Sequence, residues 1–333
     1  MTETTMDECI RIPRRQFNLA LAGTLGLALP LGARAQQKIP DRPIMLTVPF
    51  APGGSNDIMG RAIAERLSTR FGHNVVVENR PGAGSVVGAE HVARSRPDGT
   101  NLLLISAAFT MTPAVTALSY DPLKSFVPVA MLAMGPSVIA VTSSFPANTV
   151  QELIDYSHKH PGKVFFGSAG VASFQHFAIE LFKMKSGADL TVVQYKGGGP
   201  ALLDLVAGNV QVSLGSLIQM RPFLESGKIK LLAIAGPKRV AFLPKIPTLK
   251  EAGIDIDMRN WWALLAPTGT PDSIVQQFHD EVNVVLKNPK VEQRFAAEGA
   301  DTMPMSREQL AAFLKEQLAK WAEVAAKTGI KKN

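Results

Sequence analysis

A glycine-rich turn between a predicted strand and a predicted helix contains the residues best suited to binding an anion. Ile44, Leu46 and Val48 alternate as in a strand, residues 52–54 (Pro-Gly-Gly) break it, and residues 58–67 have the apolar period of a helix. Backbone N–H groups at such a turn lack helical partners, and the positive end of the helix dipole lies behind them. The turn is therefore a candidate site for a carboxylate. A simple tight turn is the alternative that this segment leaves open.

Two similar turns follow in the second half of the chain. Residues 166–176 and 194–200 each lead from a predicted strand into a predicted helix, and Pro200 suits a first helical position. Ligands of open α/β sheets bind at the carboxyl ends of the strands. Two domains facing each other across a cleft would bring the three turns around one small molecule. The combination is more specific than any single turn.

The elements that would position these turns alternate along the chain, which favours an α/β fold with largely parallel sheets. The first unit is predicted to contain strands at 44–48, 74–79 and 101–106 and helices at 58–67 and 86–94. The second unit is predicted to contain helices at 150–158, 174–185, 200–207 and 220–226 and strands at 163–167, 190–195, 211–214 and 229–235. We also predict a short helix at 248–252, a returning strand at 258–266, a helix at 274–287 capped by Asp272, and an amphipathic helix at 307–328.

This layout predicts two doubly wound α/β domains with a cleft between them. Two crossing strands join them, near Pro136-Ser137 and near Asp257-Met258. Domain 1 is expected to comprise residues 36–137 and 256–333, and domain 2 residues 138–255. Ligand capture would then be a hinge closure of the two domains.

The first 35 residues have the pattern of an export signal. Arg14-Arg15 precede an apolar run that is too short to span a membrane, and Ala33-Arg34-Ala35 form a small-x-small cleavage site. The arginine pair followed by Phe17 is similar to a twin-arginine signal, with general secretion as the alternative route. We expect cleavage near Ala35 and a periplasmic mature chain. No later segment approaches 18 apolar residues.

Composition narrows the classes of function. The single cysteine, Cys9, lies in the signal, so the mature chain is expected to have no disulfide, no thiol nucleophile and no cysteine metal site. The signal contains four Arg and three acidic residues, so its removal lowers the formal charge from +7 to +6. A moderately basic surface suits anionic small ligands. Sparse aromatics and the absence of a basic run argue against nucleic acid.

The chain resembles the solute-binding receptors of tripartite tricarboxylate transporters, the Bug proteins, over nearly all of its mature length. The matching segments are 49–54 with Asp57, 78–84, 97–99, 120–122, 167–168 with Ser173, His176 and 180–182, 195–197 with 200–201, 247–248 with 251–253, and 265–267 with 269–271. The family often has Gly at the position of Val171 and Asp near Gln211. Each of these two differences could change which ligand is bound or could have no effect.

The resemblance implies a two-lobed, type II-like periplasmic binding protein that captures a small carboxylate, either an organic acid or an acidic amino acid. It implies delivery to the permease subunits of the transporter, no enzymatic activity, no cofactor or metal, and a monomer. The ligand would be held largely by backbone N–H groups and ordered water. The implied binding residues are Phe50, Ala51, Gly53, Gly54, Ser55, Asn56, Asp57, Ser106, Ala107, Ser168, Ala169, Gly170, Ser173, His176, Tyr195, Gly197 and Gly198.

Several of these side chains have alternative roles. Asp57 would repel a bound carboxylate, so we favour a helix-capping role over contact with water or an amine. For His176 we favour a hydrogen bond that orients its loop, and Tyr195 could either contact the ligand or pack. Trp261 and Trp262 should lie on opposite faces of their strand, one in the core and one lining the cleft. Arg259 is a candidate counter-ion, with solvent exposure as the favoured alternative.

Two other classes of function remain. An exported enzyme would need a catalytic motif, but Gly82, Gly84 and Gly88 have the wrong spacing for a dinucleotide loop and the six histidines are scattered. A cofactor absorbance spectrum would identify such an enzyme. A sensor with the same fold would present its closed form to a signalling partner, and neighbouring permease genes would favour the transport receptor instead.

Overall fold

The computed structural model describes residues 38–171, 173–240, 243–297 and 299–330. The predicted export signal lies outside these residues. The elements in chain order are β1 (Ile44–Val48), α1 (Ser55–Phe71), β2 (Val75–Asn79), α2 (Val86–Ala93), β3 (Asn101–Ser106), α3 (Ala108–Met111), β4 (Phe126–Thr142), α4 (Val150–Lys159), β5 (Phe165–Ser168), α5 (Phe174–Ser186), β6 (Thr191–Gln194), α6 (Gly198–Ala207), β7 (Val212–Ser216), α7 (Leu217–Glu225), β8 (Ile229–Ala235), β9 (Arg259–Pro267), α8 (Asp272–Leu286), α9 (Pro289–Ala297), β10 (Asp301–Thr302) and α10 (Arg307–Thr328). No helix in these ranges is long and apolar enough to cross a membrane.

The strands form two α/β lobes that share β4. In the first lobe the order is β2-β1-β3-β9-β4, with β1 parallel to β2 and β3, and β9 antiparallel to β3 and β4. In the second lobe β4 lies between β7 and β8, and β5 runs parallel to β6 and β7. The turns that follow β1, β2 and β3 therefore gather at one edge of the first lobe. Those that follow β5, β6 and β7 gather at one edge of the second.

Strand β4 changes partners between Pro136 and Ser137. Its first half pairs with β9 as far as Pro136↔Arg259, and its second half pairs with β7 and β8 from Ser137 onward. Proline has no N–H to donate, so it suits the point where one hydrogen-bonded ladder ends. The second crossing lies beside it, because Met258 N donates to Ala235 O at 3.1 Å immediately before β9 begins. The two crossings are adjacent, while the domain limits remain a prediction.

Two local predictions were wrong, and two short elements were missed. Residues 248–252 form a turn rather than a helix, because the backbone beside Thr248 bonds to β8: Pro247 O accepts from Ile234 N, and Leu249 N donates to Ile234 O. Asp272 is the first residue of α8 rather than its cap, since the N-cap is Pro271, and its carboxylate pairs with Arg307 at 2.8 Å. Helix α9 and strand β10 were not predicted, because their short segments lack a clear period.

The C-terminal helix α10 packs against both lobes. A capping box between Ser306 and Gln309 starts it, and Leu310, Leu314 and Trp321 are buried. The Trp321 ring meets Phe177 of α5 edge to face at 5.8 Å. Further along, Phe313 meets Trp261 of β9 at 5.2 Å. The helix was predicted to belong to domain 1, yet it also covers α5 of the second lobe.

Candidate ligand-binding site

The first turn of α1 is buried and has no side-chain cap. Gly54 is the N-cap and makes no side-chain hydrogen bond, and Ser55, Asn56 and Asp57 are at most 9% exposed. The N–H groups of a first turn have no partner within the helix. Gly53 has φ +81, a conformation that favours glycine. The loop therefore directs unpaired N–H groups and the helix dipole to one point, an arrangement that suits an anion.

Asp57 holds this turn together. Its Oδ2 accepts from Gly53 N and Arg61 Nε, both at 3.0 Å, and its Oδ1 accepts from Asn79 Nδ2 at 3.0 Å. Burial by itself would raise the pKa of Asp57, but the hydrogen bonds from Arg61, Gly53 and Asn79 outweigh it and hold that pKa below its ordinary value. Both oxygens bond within the protein and Arg61 balances the charge. Asp57 is therefore not the cap that the sequence favoured, since Gly54 is the N-cap, but its carboxylate ties the loop to the first turn of the helix.

Two contacts that the sequence did not reveal tie the turn to its surroundings. Trp262 Nε1 of β9 donates to Asn56 Oδ1 at 2.9 Å, and both side chains are buried. Asn79 Nδ2 also donates to Phe50 O at 3.0 Å, which fixes the loop ahead of Ala51. Asn79 ends β2 beside the turn, and the sequence signals for it were this placement and its position in the matching segment 78–84. The first turn of α1 is therefore attached to a crossing strand.

Helix α2 also approaches the turn closely. A Cβ placed on Gly88 would lie 2.7 Å from Pro49 Cβ and 3.0 Å from Arg80 O, so only glycine allows this approach. Ser106 and Ala107 end β3 nearby and are buried, and Ala107 N faces Asn260 Oδ1 at 3.4 Å. The predicted residues of the first lobe thus share one edge of the sheet.

The second predicted turn is capped by its own side chain. Ser173 is the N-cap of α5, and its Oγ accepts from His176 N at 3.2 Å and lies 3.3 Å from Ser168 Oγ. Both serines are buried, while Ala169 and Gly170 are half-buried. Gly170 has φ +119, and a Cβ there would lie 3.0 Å from Tyr195 O, so this loop packs on the third turn. The two serine hydroxyls thus contact each other, and Ser173 also caps α5.

His176 lies on a cavity of about 380 Å³ between α5 and the end of α10, lined also by Val171, Glu180 and residues 328–330. Burial lowers the pKa of His176, with Lys183 adding to the effect and Glu180 opposing it. Gln211 lies at the opposite, amino end of β5 and β7, where its Oε1 accepts from Phe165 N at 3.0 Å. This departure from the family pattern is therefore remote from the predicted turns.

The third turn begins α6 without a side-chain cap, with Gly197 at the N-cap and Gly198 as the first helical residue. The Tyr195 hydroxyl donates to Asp204 Oδ2 at 2.5 Å, and burial together with this bond raises the pKa of Tyr195 to about 12. The hydroxyl therefore attaches the turn to α6. Tyr195 N donates to Ser168 O at 2.8 Å, which places the second and third turns side by side.

Sequence reasoning missed a fourth turn in the same row. Strand β7 runs directly into α7, whose N-cap Ser216 makes no side-chain cap bond. Gln219 in its first turn and Gln175 in the first turn of α5 both approach Gly198. The sequence prediction began this helix at residue 220, after Gln219, and so placed that side chain in a loop.

The remaining candidates have structural roles. Arg259 pairs with Asp257 through contacts of 2.9–3.1 Å, so this arginine is neutralised within the protein. Trp261 and Trp262 lie in different hydrophobic clusters, as predicted, but both are at most 2% exposed, so neither lines a cleft. Within the described ranges, no group of three or more His, Cys, Asp or Glu residues could hold a metal. In the same ranges, no hydrogen bond joins the turns of the first lobe to those of the second.

Comparisons with known proteins agree on the class of this chain. Residues 59–330 match the TctC family model, described as tripartite tricarboxylate transporter family receptor. Protein BugT of Bordetella pertussis is 34% identical over 312 residues, 92% of this chain and 95% of BugT. The R. palustris protein Rpa4515, solved with adipate, is 33% identical, with a TM-score of 0.85 over 88% of this chain and 99% of that one. The periplasmic binding protein BugD is 34% identical, with a TM-score of 0.84 over 88% of this chain and 100% of BugD. The predicted two-lobed fold is confirmed.

We predict that Asn56→Ala destabilises the protein by about 1–3 kcal/mol, because the Trp262 indole N–H then stays buried without an acceptor. Urea unfolding measures the loss. Trp262→Phe removes the donor and is the matched partner in a double-mutant cycle, in which Asn56→Ala should cost less. Strict additivity of the two changes would contradict a stabilising bond.

We also predict that Asp57 contributes to the pH dependence of stability. Since the pKa of Asp57 is lower in the folded than in the unfolded state, its contribution is fully present above its ordinary value of 3.8 and is lost as the pH falls through the folded value. Asp57→Asn should therefore flatten the acid limb of the unfolding free energy. Glu65→Gln, on the exposed face of the same helix, is the control and should leave that limb unchanged. Equal acid limbs for Asp57→Asn and the parent would disprove the assignment.

Proposed function

Because the chain belongs to the family of tripartite tricarboxylate transporter receptors, as its motifs predicted, we propose that it is a periplasmic receptor that captures a small carboxylate between its lobes. The predicted signal would be removed near Ala35. The receptor would deliver its ligand to the permease subunits of such a transporter, without catalysis or a cofactor. The observation that carries this proposal is the buried, uncapped first turn of α1.

The contrast among helix starts supports a ligand at α1. Thr149, Ser173 and Ser306 cap α4, α5 and α10 with their side chains, whereas α1, like α2, α6, α7 and α8, begins without a side-chain cap. In α1 the first three helical residues are all buried as well. Unpaired N–H groups in a buried place cost free energy unless a ligand or water accepts from them. A carboxylate supplies acceptor oxygens and a negative charge that the helix dipole favours. Rpa4515, solved with adipate, is a relative with a ligand of this class.

The hydrogen bonds available at such a site are strong enough to bind a carboxylate. A hydrogen bond to a charged group is worth about 1.5–3 kcal/mol. Three or four of them could support micromolar binding after the costs of association. Asp57 does not oppose this binding, since Arg61 neutralises its charge.

Closure would bring the second lobe to the same ligand. The hinge that we propose lies at the two adjacent crossings, where β4 leaves β9 at Pro136 and the chain enters β9 at Arg259. The turns at Ser168, Gly170 and Gly198 would then face the first turn of α1. Closure strips water from the carboxylate, and the N–H groups of the turns replace that hydration.

A thermal-shift screen of the mature protein against carboxylates, their amides and sugars tests this function. A ligand at a thousand times its Kd adds about 4 kcal/mol to stability, so a true ligand should shift the Tm by several degrees. We expect shifts with carboxylates alone. Shifts confined to uncharged compounds would contradict the electrostatic argument.

Gly54→Asp gives a sharper test, because it should change stability and binding in opposite directions. Gly54 has φ −83 and ψ 170, and a Cβ there meets only Ala51 O at 3.7 Å, so the backbone accepts Asp. Asp is a preferred N-cap and should keep or raise the Tm. Its carboxylate would occupy the anion position and abolish ligand binding. Gly54→Asn is the uncharged control and should bind more tightly than Gly54→Asp. Parental affinity in Gly54→Asp would disprove the assignment.

A further inference from the structure

Two glutamine side chains meet over the first residue of α6. A Cβ placed on Gly198 would lie 3.2 Å from Gln175 Nε2 and 3.2 Å from both amide atoms of Gln219. The Gln175 amide also lies 3.7 Å from the Cβ position of Gly215 in β7. The two amides therefore cover the place where α5, α6 and α7 begin, at the carboxyl ends of β5, β6 and β7. The missing side chain at Gly198 leaves them the room.

The two amides lack hydrogen-bond partners in the part of the chain that the structure describes. Both side chains are half-buried, and neither bonds to another residue of the described ranges. Three pairs of polar groups in this row do bond to each other, namely Ser168 with Ser173, Tyr195 with Asp204, and Ser213 with Gly167 O. Neither amide is among the fully buried polar groups, so both remain accessible to water and to a ligand. Like the hydroxyl of Ser216, these amides are therefore available to meet a ligand.

On the basis of the function proposed above, we propose that Gln175 and Gln219 bind the second carboxyl group of a dicarboxylate whose first carboxylate lies at α1. Helices α6 and α7 begin beside them without side-chain caps, so the local dipoles favour a negative group. The amide NH₂ groups add donors to the same place. This arrangement suits an acceptor-rich, negatively charged group. The glutamines determine which acids the receptor retains.

Adipate and hexanoate test the proposal, because they have the same chain length and differ in one terminal carboxyl group. Calorimetry on the mature protein should show adipate binding at least tenfold more tightly. Gln175→Leu and Gln219→Leu keep similar size but remove the amide. Each should weaken adipate by about tenfold, the value of one hydrogen bond to a charged group, and should change hexanoate far less.

Gly198→Ala and Gly199→Ala are a matched pair in the same helix turn. The backbone at Gly198 is helical, so Ala is tolerated there, and its methyl group would push both amides aside. A Cβ at Gly199 meets nothing within 4 Å. We expect Gly198→Ala to lower the preference for adipate and Gly199→Ala to leave it unchanged. In a Gln175→Ala/Gln219→Ala background the effect of Gly198→Ala should vanish, because the displaced groups are then absent.

The outcomes separate this inference from the function on which it rests. A parent protein that binds no carboxylate in the thermal-shift screen overturns both. A parent that binds hexanoate as tightly as adipate overturns this inference alone. If the parent prefers adipate and both leucine variants keep that preference, this inference alone is again overturned. Loss of the preference in the leucine variants and in Gly198→Ala, with Gly199→Ala unchanged, supports it.

Discussion

Strand β4 is the constraint on which the rest of the structure depends. One continuous strand pairs with β9 and β10 in the first lobe and with β7 and β8 in the second. The segment around Gly299 packs closely against β4 near the crossing, since a Cβ on Gly135 would lie 2.9 Å from Gly299 O. A Cβ on Gly299 would in turn lie 2.8 Å from Leu217, the first residue of α7. The two rows of turns are thus held on one shared strand.

Polar side chains and backbone N–H groups have different roles at the first turn of α1. Asp57, Asn79 and Asn56 use their side chains to fix the turn, and each bonds within the protein. The N–H groups of the first turn of α1 have no acceptor within their own helix. Because Asn56 bonds to Trp262 in a crossing strand, the turn is rigidly attached to the frame that would move on closure. Preorganised donors of this kind lower the cost of ordering a site on binding.

Much of the fold could be predicted from sequence, because the patterns that indicate strands and helices are complete within a few neighbouring positions. The alternation at 44–48, the Pro-Gly-Gly break and the apolar face of 307–328 each predicted an element that the structure contains. The helix predicted at residues 248–252 does not form, although the segment has a helical pattern. Its backbone bonds instead to the edge of β8, which both donates and accepts hydrogen bonds there. The site was predictable as a set of turns, since glycine and proline mark them. The role of each side chain was not.

By itself, the sequence determined most elements and the family, and it predicted an anion site at the turns, because these depend on neighbouring residues and on motifs. The tertiary structure decided which polar atoms are satisfied. It pairs Asn56 with Trp262 across 206 positions, gives the Tyr195 hydroxyl to Asp204 and buries both tryptophans. It also leaves Gln175 and Gln219 over Gly198. Such outcomes depend on contacts between segments far apart in the chain, and local pattern does not encode those contacts.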